Sequence, residues 1–222
     1  MAEPLDPAVS FSRYGATTKE QASCGEVILD NGAEAELLRR ASQGDEASFL
    51  QLYERHRTPL FRFALRMLGS TSLAEDVTQE CFLSVIRRPD SYRPERASLR
   101  TYLCGAARHL ALKQLRRQGF ETTADEPIED TRDDGTEPLQ HLLEEETAEA
   151  VRKAVNALPP LQREAVILFE YEDMSLAEIA CVAETDVGAV KSRLHRARER
   201  LRRSLAPWLA PTAVGSIQER RA

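Results

Sequence analysis

The sequence predicts an all-α protein of two small helical domains joined by an acidic flexible linker. Apolar residues recur at helical spacing through 34–118 and again through roughly 138–206, with no alternating strand pattern between them. The stretch separating the two blocks is acidic and poor in apolar residues, as a solvated connector should be. Helix punctuation is frequent. Thr58-Pro59 opens a segment that Gly69 closes, and Ser72-Leu73-Ala74-Glu75 and Ser175-Leu176-Ala177-Glu178 both have capping-box spacing. Pro89 and Pro94 bracket a loop, after which Ser98 starts a helix running to Arg117.

These signals divide the chain into a tail (1–32), a first domain (33–118), a linker (119–137), a second domain (138–206) and a second tail (207–222). The formal charge of -6 over 222 residues argues at first sight against a nucleic-acid partner. Counted by segment, that argument fails: residues 33–118 carry +5, residues 151–206 carry +2, and residues 119–150 carry -11. Two basic blocks flank an acidic one, an asymmetry that suits nucleic-acid contact. The longest apolar run, Ala165 to Phe169, is far short of the ~20 residues a membrane helix needs. The first residues have neither a basic start nor an apolar core, so no leader and no membrane are expected, and the protein should be cytoplasmic.

Taking the elements in order, the helix over 73–87 buries Val77, Cys81, Phe82 and Val85 and places Asp76, Glu80 and Leu83 on its other side, with Gln79 at the margin. An acidic face would repel phosphate, so it fits a basic protein surface, unless it is merely solvated. The helix from Ser98 to Arg117 contains no acidic residue. Leu99, Leu103, Ala106 and Leu110 have the spacing of a buried stripe; Thr101, Tyr102, Gly105, His109, Lys113 and Arg116 lie roughly opposite, and Arg100 and Arg108 add further charge. An aromatic ring among cations suits unstacked bases, although Tyr102 could equally sit at the edge of a core. Ser175–Ala183 reads as a short helix, Glu184-Thr185-Asp186 as a turn, and Val187–Leu205 as a longer helix: a helix-turn-helix. Val187, Val190, Leu194, Ala197 and Leu201 form its buried stripe. Lys191, Ser192, Arg193, His195, Arg196 and Arg200 fall outside that stripe, and residues 191–203 hold seven Lys or Arg against one acidic residue. Such a helix suits the major groove of duplex DNA, with early residues reading bases and later arginines gripping phosphates.

Four motifs in order then resemble bacterial RNA polymerase sigma factors of the extracytoplasmic-function group, in the sigma-70 family. They are Ala74-Glu75-Asp76-Val77-Thr78-Gln79-Glu80-Cys81-Phe82, Ser98-Leu99-Arg100-Thr101-Tyr102-Leu103, Leu158-Pro159-Pro160-Leu161-Gln162-Arg163-Glu164, and Val187 through Arg198. The resemblance implies that the first domain is sigma region 2, which recognises and melts the -10 promoter element, and that the second is region 4, which reads the -35 element. It implies that Asp76, Gln79 and Glu80, with Leu83 beside them, dock on the clamp helices of the polymerase largest subunit. Region 4 would cover the flap of the second-largest subunit. The -10 DNA set would be Arg100, Thr101, Tyr102, Arg108, His109, Lys113 and Arg116, and the -35 set Lys191, Ser192, Arg193, His195, Arg196 and Arg200. An anti-sigma factor is the further partner the group implies. Three positions depart from the family: Ile86 and Tyr102 stand where Trp is usual, and His109 where Asn is frequent.

The linker, counted from Gln118 to Glu137, can reach at most ~66–72 Å, or about 20 base pairs of duplex. One chain can therefore hold both promoter elements, and the linker's charge should keep DNA off the free protein. Cys24, Cys81, Cys104 and Cys181 are too far apart for a metal knuckle, and His56, His109, His141 and His195 show no zinc spacing. Cys81 and Cys181 read as small core residues, and Cys24 as a tail thiol. With no nucleophile elbow, P-loop or paired catalytic acids, neither an enzyme nor a cofactor or metal is expected. The alternative is a helix-turn-helix regulator that occupies duplex operators without polymerase and dimerises on palindromes. A helical adaptor without DNA would leave the basic helices unexplained.

Overall fold

A computed structural model describes residues 24–119 and 140–209. A proximal block contains α1 (Cys24–Ser42), α2 (Glu46–Leu68), α3 (Thr71–Arg87), a 3-10 turn (Pro89–Ser91) and α4 (Leu99–Arg117). A distal block contains α5 (Gln140–Asn156), α6 (Pro160–Val166) running into a π-helical turn (Ile167–Tyr171), α7 (Leu176–Val182), α8 (Val187–Ser204) and the short α9 (Ala206–Leu209). No strand occurs among the described residues. The linker and most of both tails lie outside them, together with the expectations placed there.

Side chains that satisfy the terminal amides set the helix starts. Asp45 caps α2 by accepting from the amides of Ala47 and Ser48. Gly69, at φ 66, closes α2 with its amide donating to the Leu65 carbonyl at 2.8 Å, and Ser70 caps the next helix by accepting from the Leu73 amide. The start of α3 is thus Ser70, not the Ser72 that capping-box spacing suggests. Nor does Pro59 open a helix: it lies inside α2. An interior proline costs about 3 kcal/mol, but Leu52, Leu60, Phe63 and Met67 bury α2 on both sides of it, and packing outweighs the lost hydrogen bond. α1 begins at Cys24, within the segment that composition assigns to a tail.

α4 is enclosed more fully than its stripe predicts. It packs against α2 and α3 and also against α6 and α7 of the distal block. Thr101, Tyr102, Cys104 and Gly105 are buried along with Leu99 and Leu103, whereas Ala106 and Leu110 are only partly covered. The apolar residues of both blocks join in one cluster that contains Phe63, Met67 and Leu103 as well as Ile167, Ile179 and Leu194. Cys81 and Cys104 are buried free thiols and Cys181 is half-buried. Burial pushes the Cys104 thiol up to about 12 and raises Cys81 as well.

Within the proximal block, one buried carboxylate pins α1 to α2. Glu34 lies 2.8 Å from His56 Nε2 and 3.0 Å from an Arg55 guanidinium nitrogen. Burial opposes its ionisation, but the hydrogen bonds and charges of His56 and Arg55 outweigh that and hold the carboxyl below its usual range. A depressed acid contributes stability in full above the ordinary carboxylate pKa of about 4.3 and loses it as pH falls through the lower, folded-state value. Glu34→Gln should cost about 1–3 kcal/mol at neutral pH. Chemical denaturation across pH should show that difference shrinking on acidification through the carboxylate range; a constant difference would place the effect in packing rather than charge.

Candidate nucleic-acid interface

The helix-turn-helix is built from local bonds. Ser175 and Glu178 form a reciprocal capping box at the start of α7, with the Glu178 amide donating to Ser175 Oγ at 3.2 Å and the Ser175 amide to Glu178 Oε2 at 2.9 Å. The chain leaves α7 through Glu184 at φ 51, a left-handed position, while the Thr185 amide donates to the Ala180 carbonyl at 3.0 Å. Asp186 then caps α8 by accepting from the Ala189 amide at 2.9 Å. A Cβ at Gly188 would stand 2.9 Å from that same Asp186 carboxylate, so a larger residue there would displace the capping side chain.

Val190, Leu194 and Ala197 bury one side of α8 against α6 and α7, as the stripe predicts, and Leu201 is partly buried. Val187, at the first turn, is exposed. Lys191, Ser192, His195 and Arg196 are exposed on the outer side, and Ser192 Oγ donates back to the Gly188 carbonyl at 3.0 Å. Arg200 is half-buried. Arg193 is positioned differently: its guanidinium turns inward and donates to Glu164 Oε1 at 3.0 Å.

Glu164 has no solvent exposure, and its second oxygen accepts from Arg108 Nε of α4 at 2.8 Å. Burial pushes its carboxyl above the usual range, with the charges of Arg108 and Arg193 opposing that shift. A second buried carboxylate, Glu172, lies just beyond the π-helical turn, where its amide donates to the Ile167 carbonyl at 3.1 Å. Arg66 of α2 and Arg100 of α4 approach it at 3.5 Å each, and Arg100 also donates to the Glu172 carbonyl. Desolvation raises this carboxyl too, against the charges of Arg100 and Arg66. Arg66 stacks over the Tyr171 ring at 4.4 Å. Arg163 completes the contact, donating to the Met67 carbonyl at the end of α2 at 2.7 Å and to carbonyls of Asn156 and Leu158.

The residues expected to meet the -10 element are therefore not one open face. Arg100 and Arg108 are tied to the distal block. Thr101 is buried at the helix start, its amide donating to Ser98 Oγ at 3.1 Å. Tyr102 is buried with its hydroxyl 2.6 Å from Ser91 Oγ and its ring 5.7 Å from that of Tyr92. His109 and Lys113 are half-exposed and Arg116 is exposed. Burial holds the His109 imidazole below its ordinary pKa; Glu184 opposes this, while Arg108, Arg116 and Lys113 reinforce it. On α3, Asp76, Gln79, Glu80 and Leu83 are all exposed, opposite buried Val77, Cys81, Phe82 and Val85. Among the described residues, no group of three or more His, Cys, Asp or Glu is placed to hold a metal ion. No helix among them is long and apolar enough to cross a membrane.

Sequence reasoning missed Glu164, Glu172, Arg66 and Arg163. A signal for the first existed: Glu164 shares a helical stripe with Leu161, Ile167 and Leu168, and a carboxylate on an apolar stripe must find a cationic partner.

Comparison with known proteins places both blocks. Sigma-70 region 2 matches residues 52–121 and Sigma-70 region 4 matches residues 148–201. The chain is 35% identical over 174 residues to the ECF RNA polymerase sigma factor SigM of Mycobacterium tuberculosis, covering 78% of this chain and 85% of that protein. It is 33% identical over 174 residues to the RNA polymerase sigma factor CarQ of Myxococcus xanthus, covering 76% and 95% respectively. Among solved structures, it resembles the sigma factor RpoE of Bartonella quintana in complex with the anti-sigma factor NepR, with TM-score 0.53 and 26% identity over 71% of this chain and 96% of that one. It also shares the fold of CnrH, solved with the cytosolic domain of CnrY, at TM-score 0.58 and 24% identity over 79% and 98% of the two chains.

The geometry separates two arginines three positions apart on α8. Arg193→Ala leaves the buried Glu164 with half its partners and should destabilise the fold by roughly 2–4 kcal/mol. Arg196→Ala, on the exposed side, should stay within about 0.5 kcal/mol of the parent. Urea unfolding of the two variants measures both; equal stabilities would remove Arg193 from the core.

Proposed function

The chain belongs to the extracytoplasmic-function group of sigma-70 RNA polymerase sigma factors, and from that premise we propose how its residues divide the work of bringing core polymerase to a promoter. Asp76, Gln79, Glu80 and Leu83 on α3 dock on the clamp helices of the largest subunit. The acidic face rimming one apolar residue suits a basic helical surface, where complementary charge sets rate and register. α8 enters the major groove upstream, with Lys191, Ser192, His195 and Arg196 toward the bases. Arg200 grips phosphate, and Arg193 supports the helix through Glu164 while remaining at the edge of the -35 contact.

In the proximal block, Arg100, Arg108, His109, Lys113 and Arg116 follow the backbone of the melted -10 strand. Thr101 and Tyr102, buried in the present arrangement, shape the start of α4 behind them. The same chain engages duplex and melted DNA, and the second-largest-subunit flap faces the distal block. An anti-sigma factor is its regulatory partner, the class of protein found with the Bartonella quintana relative. The chain works in the cytoplasm and supplies recognition; the chemistry of RNA synthesis belongs to the polymerase, so no catalytic residue, cofactor or metal is assigned to it.

The observation that supports this reading best is the capped α7–α8 pair, which buries Val190, Leu194 and Ala197 and leaves Lys191, Ser192, His195 and Arg196 outward. Run-off transcription with purified core polymerase and a random promoter library tests it. Initiation at a defined pair of upstream elements is expected; a folded chain that supports no initiation would contradict the assignment. Glu80→Lys should weaken core binding by at least about tenfold, since a like charge placed against a basic surface costs several kcal/mol. Arg196→Ala should cost about 1–3 kcal/mol at one upstream base pair if it reads that base, and uniform loss across sequences would make it a phosphate contact.

A further inference from the structure

A cleft of about 690 Å³ lies between α1, α2, the start of α4 and the chain that follows the π-helical turn. Two satisfied ion-pair groups frame it: Glu34 with Arg55 and His56, and Glu172 with Arg66 and Arg100. Three further polar residues line it without such partners. Asn31 is only 7% exposed; its amide nitrogen donates to the Pro94 carbonyl at 3.2 Å, and its oxygen accepts from no described residue. The exposed Arg62 guanidinium and the Asp173 carboxylate make no hydrogen bond or ion pair with any described residue. Asp173 stands at φ 49, a left-handed backbone uncommon outside glycine. Tyr171, 38% exposed, adds an aromatic wall. We propose that this cleft binds a ribonucleoside monophosphate. Arg62 holds the phosphate, the acceptors Asn31 and Asp173 take hydroxyl and amine hydrogens of sugar and base, and Tyr171 offers ring surface to the base.

Chemistry narrows the ligand. A carbonyl can only accept, so the bond to Pro94 fixes the Asn31 amide with its nitrogen on that carbonyl and its oxygen left over. A polar oxygen so deeply buried costs free energy until a donor reaches it. Arg62 calls for an anion, and a planar guanidinium matches phosphate in two parallel hydrogen bonds. Asn31 Oδ1 and the Asp173 carboxylate only accept, so the same molecule must also carry donors, which an inorganic anion in its charged form lacks. An amino acid would supply a carboxylate and an ammonium, but it would leave much of the cleft unfilled; spaces of about 300–1,000 Å³ suit larger, drug-sized molecules. An acidic side chain on a ribose hydroxyl is the way nucleotide sugars are commonly held. Because Glu34 and Glu172 are already paired, the walls stand preformed, which lowers the cost of binding.

Isothermal titration calorimetry on the full chain tests the site, with adenosine and guanosine 5′-monophosphates as probes. At least one should saturate at one molecule per chain, about tenfold or more tightly than its nucleoside, inorganic phosphate or glutamate. Arg62→Ala should weaken that binding by about tenfold or more, the loss of a charge-assisted contact. Asp173→Asn keeps the side-chain shape and tolerates the left-handed backbone, and should weaken it by about threefold to tenfold. Arg57→Ala removes the same charge elsewhere on α2, where the guanidinium lies over Tyr53, and should stay within about twofold of the parent. The deoxyribonucleotide, which lacks one sugar hydroxyl, should bind several-fold more weakly than its ribose counterpart.

Arg62 and Asp173 are both exposed, so neither substitution should disturb folding, and circular dichroism checks each variant. No saturable binding of either nucleotide at millimolar concentration overturns the proposal. So does inorganic phosphate or glutamate binding as tightly as the nucleotides, which would make the cleft a site for simple anions or amino acids. A loss for Arg57→Ala equal to that for Arg62→Ala would reduce the effect to net charge and remove the site. Equal affinity for the ribose and deoxyribose forms would assign the cleft to a nucleotide of a DNA strand instead. The site stands on its own geometry, so none of these results bears on whether the chain directs transcription.

Discussion

Everything in the arrangement of this protein leads back to one buried carboxylate. Glu164 has no contact with water, and an ionised group in that position is tolerable only if cations replace its hydration. Arg193 and Arg108 do so, one from its own block and one from the other. The first fixes the recognition helix on its support. The second commits α4, and with it the whole proximal block, to the surface of the distal one. A single charged residue thereby links the local fold of a DNA-reading element to the relation between two blocks that the sequence separates by an acidic stretch.

That dual use explains why the charge of the chain resists averaging. Cations on α4 and α8 are abundant, yet they are not equivalent. Lys191 and His195 are exposed on α8, whereas Arg193, Arg108 and Arg100 are occupied by carboxylates of the same molecule. The -11 carried by residues 119–150 is one source of negative charge, and Glu164 and Glu172 are another, smaller but placed. Diffuse acidity screens a basic surface; a positioned carboxylate competes for a particular guanidinium. The second is less weakened by salt once it is buried.

Much of this was legible in the residues. The helical periods, the Ser98 and Ser175 caps, the turn at Glu184 to Asp186 and the buried side of α8 all follow from spacing, since each is decided within a few residues. The acidic outer side of α3 is legible for the same reason. What spacing could not reach were the long-range decisions. Arg108 and Glu164 are 56 positions apart, Arg100 and Glu172 are 72 apart, and no periodicity relates them. α4 therefore read as a helix with one buried stripe, whereas Thr101, Tyr102 and Gly105 are buried as well. Local rules also erred where tertiary packing overrode them: Pro59 sits inside a helix because Leu60, Phe63 and Met67 anchor it, and Ser70 rather than Ser72 caps α3 because Gly69 ends α2 immediately before it.

The central claim is that buried Glu164 and its two arginines join the two blocks of the chain in one interface. Pulsed dipolar spectroscopy between spin labels on Arg87 of α3 and Arg202 of α8, with Cys24 and Cys181 replaced by serine, reads that directly. A single interface predicts one narrow distance distribution in the free protein. A broad distribution in the free protein would contradict it.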